Sequence, residues 1–378
     1  MNLYSKIKAK LSELKEADAF RFLKQKQEND SSSINLATND YLAIAQNQEF
    51  LNEFHKQQTN LPLTASSSRL LSGNHKYYTE LEQKLSLLYN SESALFFNSG
   101  YHLNIGVLPS ITKKNDLILA DKLVHASLIE AIKLSSAKTI RYKHLDYKQL
   151  ELLLSKYKND YENIFIVSES IFSMDGDKVD LQKLVQLKQK YNAYLYLDEA
   201  HAVGVCGTKG LGISEQENLI SKIDFIVGTM GKALSSIGAY LICTNDIKSY
   251  LINNCRSLIY TTALPPINIA WSSFVLDKSI TLEKERITLN NISKTLKTKL
   301  HKAGIKIVGD SHILAIIVGG NLECLNLAKR LSENGITVQA IRPPTVPLGT
   351  SRIRISLHSN LSQSEIEKIV TIITKYAN

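Results

Sequence analysis

Residues 116–228 carry the reading of the fold: DLILAD (116–121), HASLIEAIKLS (125–135), TIRYKHL (139–145), LDYKQLELLLSKY (145–157), NIFIVSES (163–170), DLQKLVQLKQKY (180–191), AYLYLDEAH (193–201) and DFIVG (224–228). Apolar runs without alternation are separated by amphipathic helical stretches. Strands of that kind are buried on both faces, so the pattern predicts α/β architecture with a mainly parallel sheet covered by helices. In such sheets binding groups collect at the carboxyl ends of the strands. The polar clusters fall there, at Asp121 to His125, Ser168 to Asp177, Asp198 to His201 and Thr229 to Lys232.

The last cluster opens the segment FIVGTMGKALSSIGAYLIC (225–243), in which Lys232 is the one charged residue. Apolar runs on both sides predict desolvation, which favours the neutral amine. A neutral amine is a nucleophile able to form an imine with a carbonyl compound, and the Thr229 hydroxyl three residues earlier could hold a phosphate beside it. A lysine that caps a helix or snorkels to the surface is the alternative reading of this segment alone.

Upstream, SALFFNSGYHLNIGVL (93–108) reads as a strand through Phe97 and a helix from about Gly100. A helix start of this kind exposes backbone N–H groups suited to an anion. SSSRLLSGNHKYYTELEQKL (66–85) is a hydroxyl-rich loop feeding a helix, and Asn39, Asp40 and Tyr41 lie in a loop of INLATNDYLAIA (34–45). The first 28 or so residues, with Leu3, Ile7, Leu11 and Leu14 at helical spacing, predict an N-terminal helix ending near ENDSSS. Downstream of IYTTALPP (259–266), a long helical tract over 266–303 leads to strands near 305–308, 313–318 and 352–357 and helices near 322–334 and 362–376. This predicts a smaller α+β domain.

The chain has 378 residues, 44% hydrophobic and 21% charged, in the range of ordinary globular proteins large enough for two domains. Lys+Arg 45 against Asp+Glu 36 gives +9, but the basic residues are scattered, which argues against nucleic acid and allows acidic partners such as phosphorylated cofactors or carrier proteins. Cys206, Cys243, Cys255 and Cys324 make no CxxC or metal-ligand spacing, so neither a disulfide framework nor a metal is expected, and reduced thiols suit a cytoplasmic location. No apolar run approaches the roughly 20 residues of a bilayer span.

Asp198 ends an apolar strand and is followed by Glu199 and His201. DEAH alone also occurs in helicases, but no GxxxxGK[ST] phosphate loop is present. Beside a desolvated lysine, a buried carboxylate has another use: it holds a pyridine nitrogen protonated and so turns pyridoxal phosphate into an electron sink.

ADKLVHASLIEA (120–131), SIFSMDGD (170–177), LDEAHAVGVCGTKGLG (197–212), GTMGKAL (228–234) and IYTTALPP together resemble the α-oxoamine synthases, pyridoxal-phosphate enzymes of the aspartate-aminotransferase fold, fold type I. The resemblance runs almost end to end. It implies an N-terminal helix and substrate-contacting segment over 1–45, a large cofactor-binding domain over 46–275 and a small C-terminal domain over 276–378. It further implies that Lys232 carries the cofactor as an imine and that Asp198 pairs with the ring nitrogen. His125 would stack on the ring, Ser173 and His201 would bond or steer its phenolic oxygen, and Gly100, Tyr101 and Thr229 would hold the phosphate. The active site would be shared in a homodimer, with Thr262 reaching the neighbouring subunit's phosphate. Asn39 and Arg354 match positions that hold the amino-acid carboxylate.

The implied reaction is the decarboxylative condensation of a small amino acid with an acyl thioester. Within the family, IRPPTVPLGTSRIRISL (341–357) most resembles members that join L-alanine to a pimeloyl thioester, borne by coenzyme A or an acyl carrier protein. Arg21 and Thr345 match substrate-contacting positions, and two consecutive prolines make the loop before Thr345 stiff. Members using glycine or serine with other thioesters, and a non-catalytic scaffold of the same fold, are the alternatives. Two stretches depart from the family pattern. LTASSSRL (63–70) lacks the frequent glycine-rich run, a departure that bears on the shape of the acyl entrance, and Ala202 and Val203 stand where Gly and Thr are frequent.

Overall fold

A computed structural model describes residues 2–23 and 33–377. Seven strands form one sheet: β1 Ser93–Phe97, β2 Leu117–Asp121, β3 Lys138–Tyr142, β4 Ile164–Glu169, β5 Tyr194–Asp198, β6 Phe225–Thr229 and β7 Ala239–Cys243. Their order across the sheet is β1-β7-β6-β5-β4-β2-β3. Every residue of β1, β2, β4, β6 and β7 is buried, as the unalternating apolar runs require. At the β3 edge, Lys138 and Arg141 are exposed and blunt the unpaired side of the sheet.

The sheet is parallel except at β7, which pairs antiparallel with both β1 and β6. The reason lies in the connection. Residues 230–238 are too few for the crossover of about a dozen or more that parallel pairing needs, so the chain folds straight back. The loop bearing Lys232 is therefore a hairpin at the carboxyl edge of the sheet. Gly238 makes the return possible: its φ is +103°, and a Cβ there would stand 2.3 Å from the Phe96 ring.

One face of the sheet is covered by the helices Gly100–Ile111, Ala126–Leu134 and Asn245–Asn254. Leu103, Val107, Leu128 and Leu251 from these helices join Val167 and Leu241 from the strands in one core. Truncating any of these leucines to alanine should cost about 2–5 kcal/mol.

Two compact units divide the chain: residues 39–172 with 178–287, and residues 1–38 with 173–177 and 288–378. The first holds the seven-stranded sheet. In the second, Gln339–Ile341, Ser351–Ser356, Ile313–Gly319 and Ile307–Val308 form an antiparallel sheet in that order, accompanied by helices Asn321–Glu333 and Gln363–Ala377. The early segment joins this unit because Ile34–Asn35 pairs parallel with Ile336–Thr337. Residues 173–177 join it through an ion pair between Asp175 and Arg352 and a hydrogen bond from the Asp310 N–H to the Gly176 carbonyl. In this grouping chain order and spatial neighbourhood differ, since residues 1–38 and 173–177 go with 288–378.

Two predicted helices come out shorter. The N-terminal helix spans Leu3–Glu16 and stops where Asp18 takes a φ of +51°; its expected end near residue 28, like most of ENDSSS, lies outside the described residues. The tract over 266–303 is two helices, Pro266–Ile280 and Glu283–Lys302. The break comes where the Thr281 hydroxyl donates to the Lys278 carbonyl, closing the first helix, and Glu283 and Glu285 start the next.

Candidate active site

Lys232 sits on the β6–β7 hairpin, half-buried, with its Nζ 2.8 Å from Nε2 of the buried His201, which follows β5. His201 Nδ1 lies 2.8 Å from the Tyr41 hydroxyl, and that hydroxyl donates to Asn39 Oδ1 at 2.9 Å. Tyr41 has one hydrogen to give, so in this arrangement His201 Nδ1–H donates to the tyrosine oxygen and Nε2 accepts from Lys232. The hairpin is braced from the same loop: Asp40 Oδ1 accepts from the Ser235 hydroxyl at 2.5 Å. Ala202 and Val203 are buried, and a Cβ on Gly204 would meet Ala233 at 2.6 Å, so the departure from the frequent Gly-Thr leaves this turn packed against the lysine hairpin.

Asp198, at the end of β5, is 6% exposed. Its Oδ1 accepts from the Ala200 N–H at 2.9 Å and its Oδ2 from Asn104 Nδ2 at 2.9 Å. These two donors fix the orientation of the carboxylate at the strand end. Glu199 does different work. Its two oxygens accept the N–H groups of Ile213 and Ser214, at 2.7 and 2.8 Å, and hold the next turn of chain.

His125 follows β2 and caps the helix Ala126–Leu134. Nδ1 faces the Ser127 hydroxyl at 2.8 Å and accepts the Ser127 N–H at 3.2 Å, while the backbone N–H of His125 is accepted by Glu169 Oε1. Part of the residue surface is open to solvent, yet enclosure of the ring lowers its pKa, with Asp198 opposing and the charge of Lys232 reinforcing that shift. Glu169, in register with Asp198 on the neighbouring strand, is buried, and its pKa is raised to about 8 by burial first and by the charge of Asp198 second. The sequence reading passed over it as one member of the polar run Ser168 to Asp177; the signal was a lone acid closing the apolar strand IFIVSE.

At the end of β1, Ser99 caps the helix Gly100–Ile111 by accepting the His102 N–H at 3.2 Å, and its carbonyl accepts the Leu103 N–H. Among the described residues no protein acceptor is recorded for the N–H groups of Gly100 and Tyr101, and a Cβ built on Gly100 meets nothing within 4 Å. Donors left open at a helix start in this way are of the kind that suits an anion. The Thr229 hydroxyl donates to the Gly238 carbonyl and accepts the Gly231 N–H, both at 3.2 Å, so it also ties the lysine hairpin. Thr262 is exposed, bridges to Ser68, and has its carbonyl held by Asn98 at 2.8 Å.

The remaining expected residues belong to the other unit. Ser173 lies in the segment 173–177 grouped with it. Arg354 is buried on the strand Ser351–Ser356, opposite Ala315 and Gln339. Arg21 Nη2 donates to the Thr345 hydroxyl at 2.8 Å, so two residues more than three hundred positions apart in sequence meet directly. Among the described residues there is no group of three or more His, Cys, Asp or Glu able to hold a metal, and no helix long and apolar enough to cross a membrane.

The profile of the family Aminotransferase class I and II matches residues 31–373. A relative from Pasteurella multocida (strain Pm70), provisionally named 8-amino-7-oxononanoate synthase, is 45% identical and is matched over 97% of this chain and 98% of its own. Among solved structures, an 8-amino-7-oxononanoate synthase from Francisella tularensis superposes with a TM-score of 0.77 and 30% identity over 92% of this chain and 98% of that one. A serine palmitoyltransferase from S. paucimobilis, solved with a bound PLP–myriocin aldimine, superposes with a TM-score of 0.91 over 100% of this chain and 98% of that one; at 24% identity this likeness shows the fold.

The architecture is that of the pyridoxal-phosphate enzymes of fold type I. The chain belongs to the Aminotransferase class I and II family. Within it the chain is an acyltransferase of the α-oxoamine synthase kind, and its cofactor is pyridoxal phosphate.

Proposed function

We propose that this protein is an 8-amino-7-oxononanoate synthase, condensing L-alanine with a pimeloyl thioester, with loss of carbon dioxide, in biotin synthesis. The reading of the chemistry rests on one observation above all: Lys232 Nζ stands 2.8 Å from a histidine nitrogen at the edge of the sheet where Asp198 ends the neighbouring strand. The reading of the substrates rests on the names borne by relatives such as the 45% identical one.

The donor set fits pyridoxal phosphate. The N–H groups of Gly100 and Tyr101 would bind the phosphate, with Thr229 shaping the hairpin beside it. Asp198 would face the ring nitrogen, His125 the ring, and His201 and Ser173 the phenolic oxygen. When bound, the cofactor supplies an electron sink for the charge left on an α-carbon. Lys232 would be the residue that holds the cofactor, and its amine would act as the base at that carbon, with His201 Nε2, 2.8 Å from Nζ, steering it. Asp198, oriented by Asn104 and Ala200, would stabilise positive charge opposite it. Asn39 and Arg354 would bind the alanine carboxylate, and Arg21 with Thr345 the acyl chain. Thr262 would reach the partner subunit's phosphate in a homodimer.

A competition assay tests the assignment. Alanine, glycine and serine are each offered with acetyl, succinyl, pimeloyl and palmitoyl thioesters, on coenzyme A and on an acyl carrier protein, while carbon dioxide and thiol are followed. Alanine with pimeloyl thioester should give the highest kcat/KM. Glycine with an acetyl or succinyl thioester in first place would overturn the assignment and favour a glycine C-acetyltransferase or another α-oxoamine synthase.

A further inference from the structure

Asn104 belongs to none of the expected binding positions. It is an amide in an otherwise apolar stretch, HLNIGVL, 1% exposed, one turn into the helix that begins at Gly100. All of its hydrogen-bonding groups point at named partners. Nδ2 donates to Asp198 Oδ2 at 2.9 Å and to the Ser127 hydroxyl at 2.9 Å, and Oδ1 accepts from the Tyr196 hydroxyl at 2.8 Å. The carboxylate can only accept, so it pins the amide in this orientation. The buried tyrosine, whose pKa is pushed well above its ordinary value by burial, is a donor at any pH of interest.

The direction of the next bond follows. The Ser127 oxygen receives a hydrogen from Asn104 and keeps a lone pair to spare, so the direction of its bond to His125 Nδ1, 2.8 Å away, is set by what else Nδ1 meets. The Ser127 backbone N–H can only donate, and it too points at Nδ1, at 3.2 Å. Nδ1 therefore receives two hydrogens and carries none. His125 is held neutral, with its proton on Nε2.

We propose that Asn104 is a positioning residue that serves both ends of the site at once: one hydrogen of its amide orients the Asp198 carboxylate, and the other, relayed through Ser127, fixes His125 as the neutral Nε2–H tautomer. The charged and titratable groups around His125 are Asp198, Lys232 and Glu169, the last bonded to its backbone N–H. A protonated His125 would have to break both bonds at Nδ1 and would add a second positive charge near Lys232. The proposal deepens the functional reading, because it takes Asp198 and His125 as the two residues that flank the cofactor.

The test uses full-length protein labelled with nitrogen-15 in its histidine rings, first without cofactor. In the wild type, His125 should show the Nε2–H tautomer with Nδ1 as a hydrogen-bond acceptor and titrate below the ordinary histidine range. Ser127→Ala removes one of the two donors and should mix the tautomers and raise the titration midpoint by roughly half to one pH unit. Ser127→Thr keeps the hydroxyl and should behave as the wild type. Asn104→Leu should alter the His125 spectrum and also weaken pyridoxal phosphate binding about tenfold, since Asp198 loses a donor. An unchanged His125 tautomer and midpoint in a folded Ser127→Ala protein would overturn the proposal, and so would a change in Ser127→Thr as large as that in Ser127→Ala. A wild type that bound no pyridoxal phosphate would sink the functional reading, while the ring spectra would still decide the hydrogen-bond relay.

Discussion

Lys232 Nζ and His201 Nε2 lie 2.8 Å apart although they leave the sheet on different strands. The contact exists because β5 and β6 are parallel neighbours and both release their chains at the same edge. His201 is buried and is itself held by Tyr41, so the lysine meets an acceptor with little freedom to turn away.

The first prediction concerns Lys232→Ala. Reconstituted wild-type protein should be yellow, and the variant should lose the visible absorbance band of the lysine-bound cofactor while its circular dichroism stays that of the wild type. A band that survived in the variant would remove Lys232 from the attachment role.

Asp198→Asn replaces the charge while keeping the size. The variant should still bind some cofactor but exchange the α-proton of L-alanine with deuterium oxide far more slowly, a loss of roughly 3 kcal/mol in the transition state by analogy with other electrostatic contacts of this kind. Proton NMR of alanine in deuterium oxide measures it, and an unchanged rate would rule out the electron-sink role of this carboxylate.

Glu169→Gln tests the buried carboxyl beside Asp198. The folded pKa, raised to about 8, lies above that of an unfolded glutamate, so the folded protein keeps a proton that the unfolded chain has already released. The stabilisation is complete below the unfolded value and is lost as pH rises through about 8. Urea unfolding of the cofactor-free protein between pH 5 and 8.5 should show the wild type losing stability relative to Glu169→Gln, by an amount on the order of a few kcal/mol across the range. Parallel curves for the two proteins would mean that Glu169 does not titrate there.

Arg21→Ala removes the guanidinium that donates to Thr345. If this pair contacts the acyl chain, KM for the pimeloyl thioester should rise about tenfold while the affinity for alanine, read from the cofactor spectrum, stays unchanged. Equal losses in both would take Arg21 out of the acyl site.

The sequence by itself determined the α/β class, a mainly parallel sheet, and the strand ends where polar groups gather. Unalternating apolar runs can be buried only between two layers, and polar clusters at strand ends have one edge on which to collect. It also marked Lys232 and Asp198, because a charge set in or closing an apolar run needs a reason to be there, while the role of His125 came with the family resemblance. What tertiary structure alone decided was who meets whom. The grouping of residues 1–38 and 173–177 with the C-terminal unit, and the pairings of Asn104 with Asp198, Ser127 and Tyr196, of Tyr41 with His201 and of Glu169 with His125, all depend on contacts between residues distant in sequence. Local pattern reports whether a residue is buried. The direction of a hydrogen bond between two buried groups is set by which other donors and acceptors surround them, and the folded chain alone brings those together.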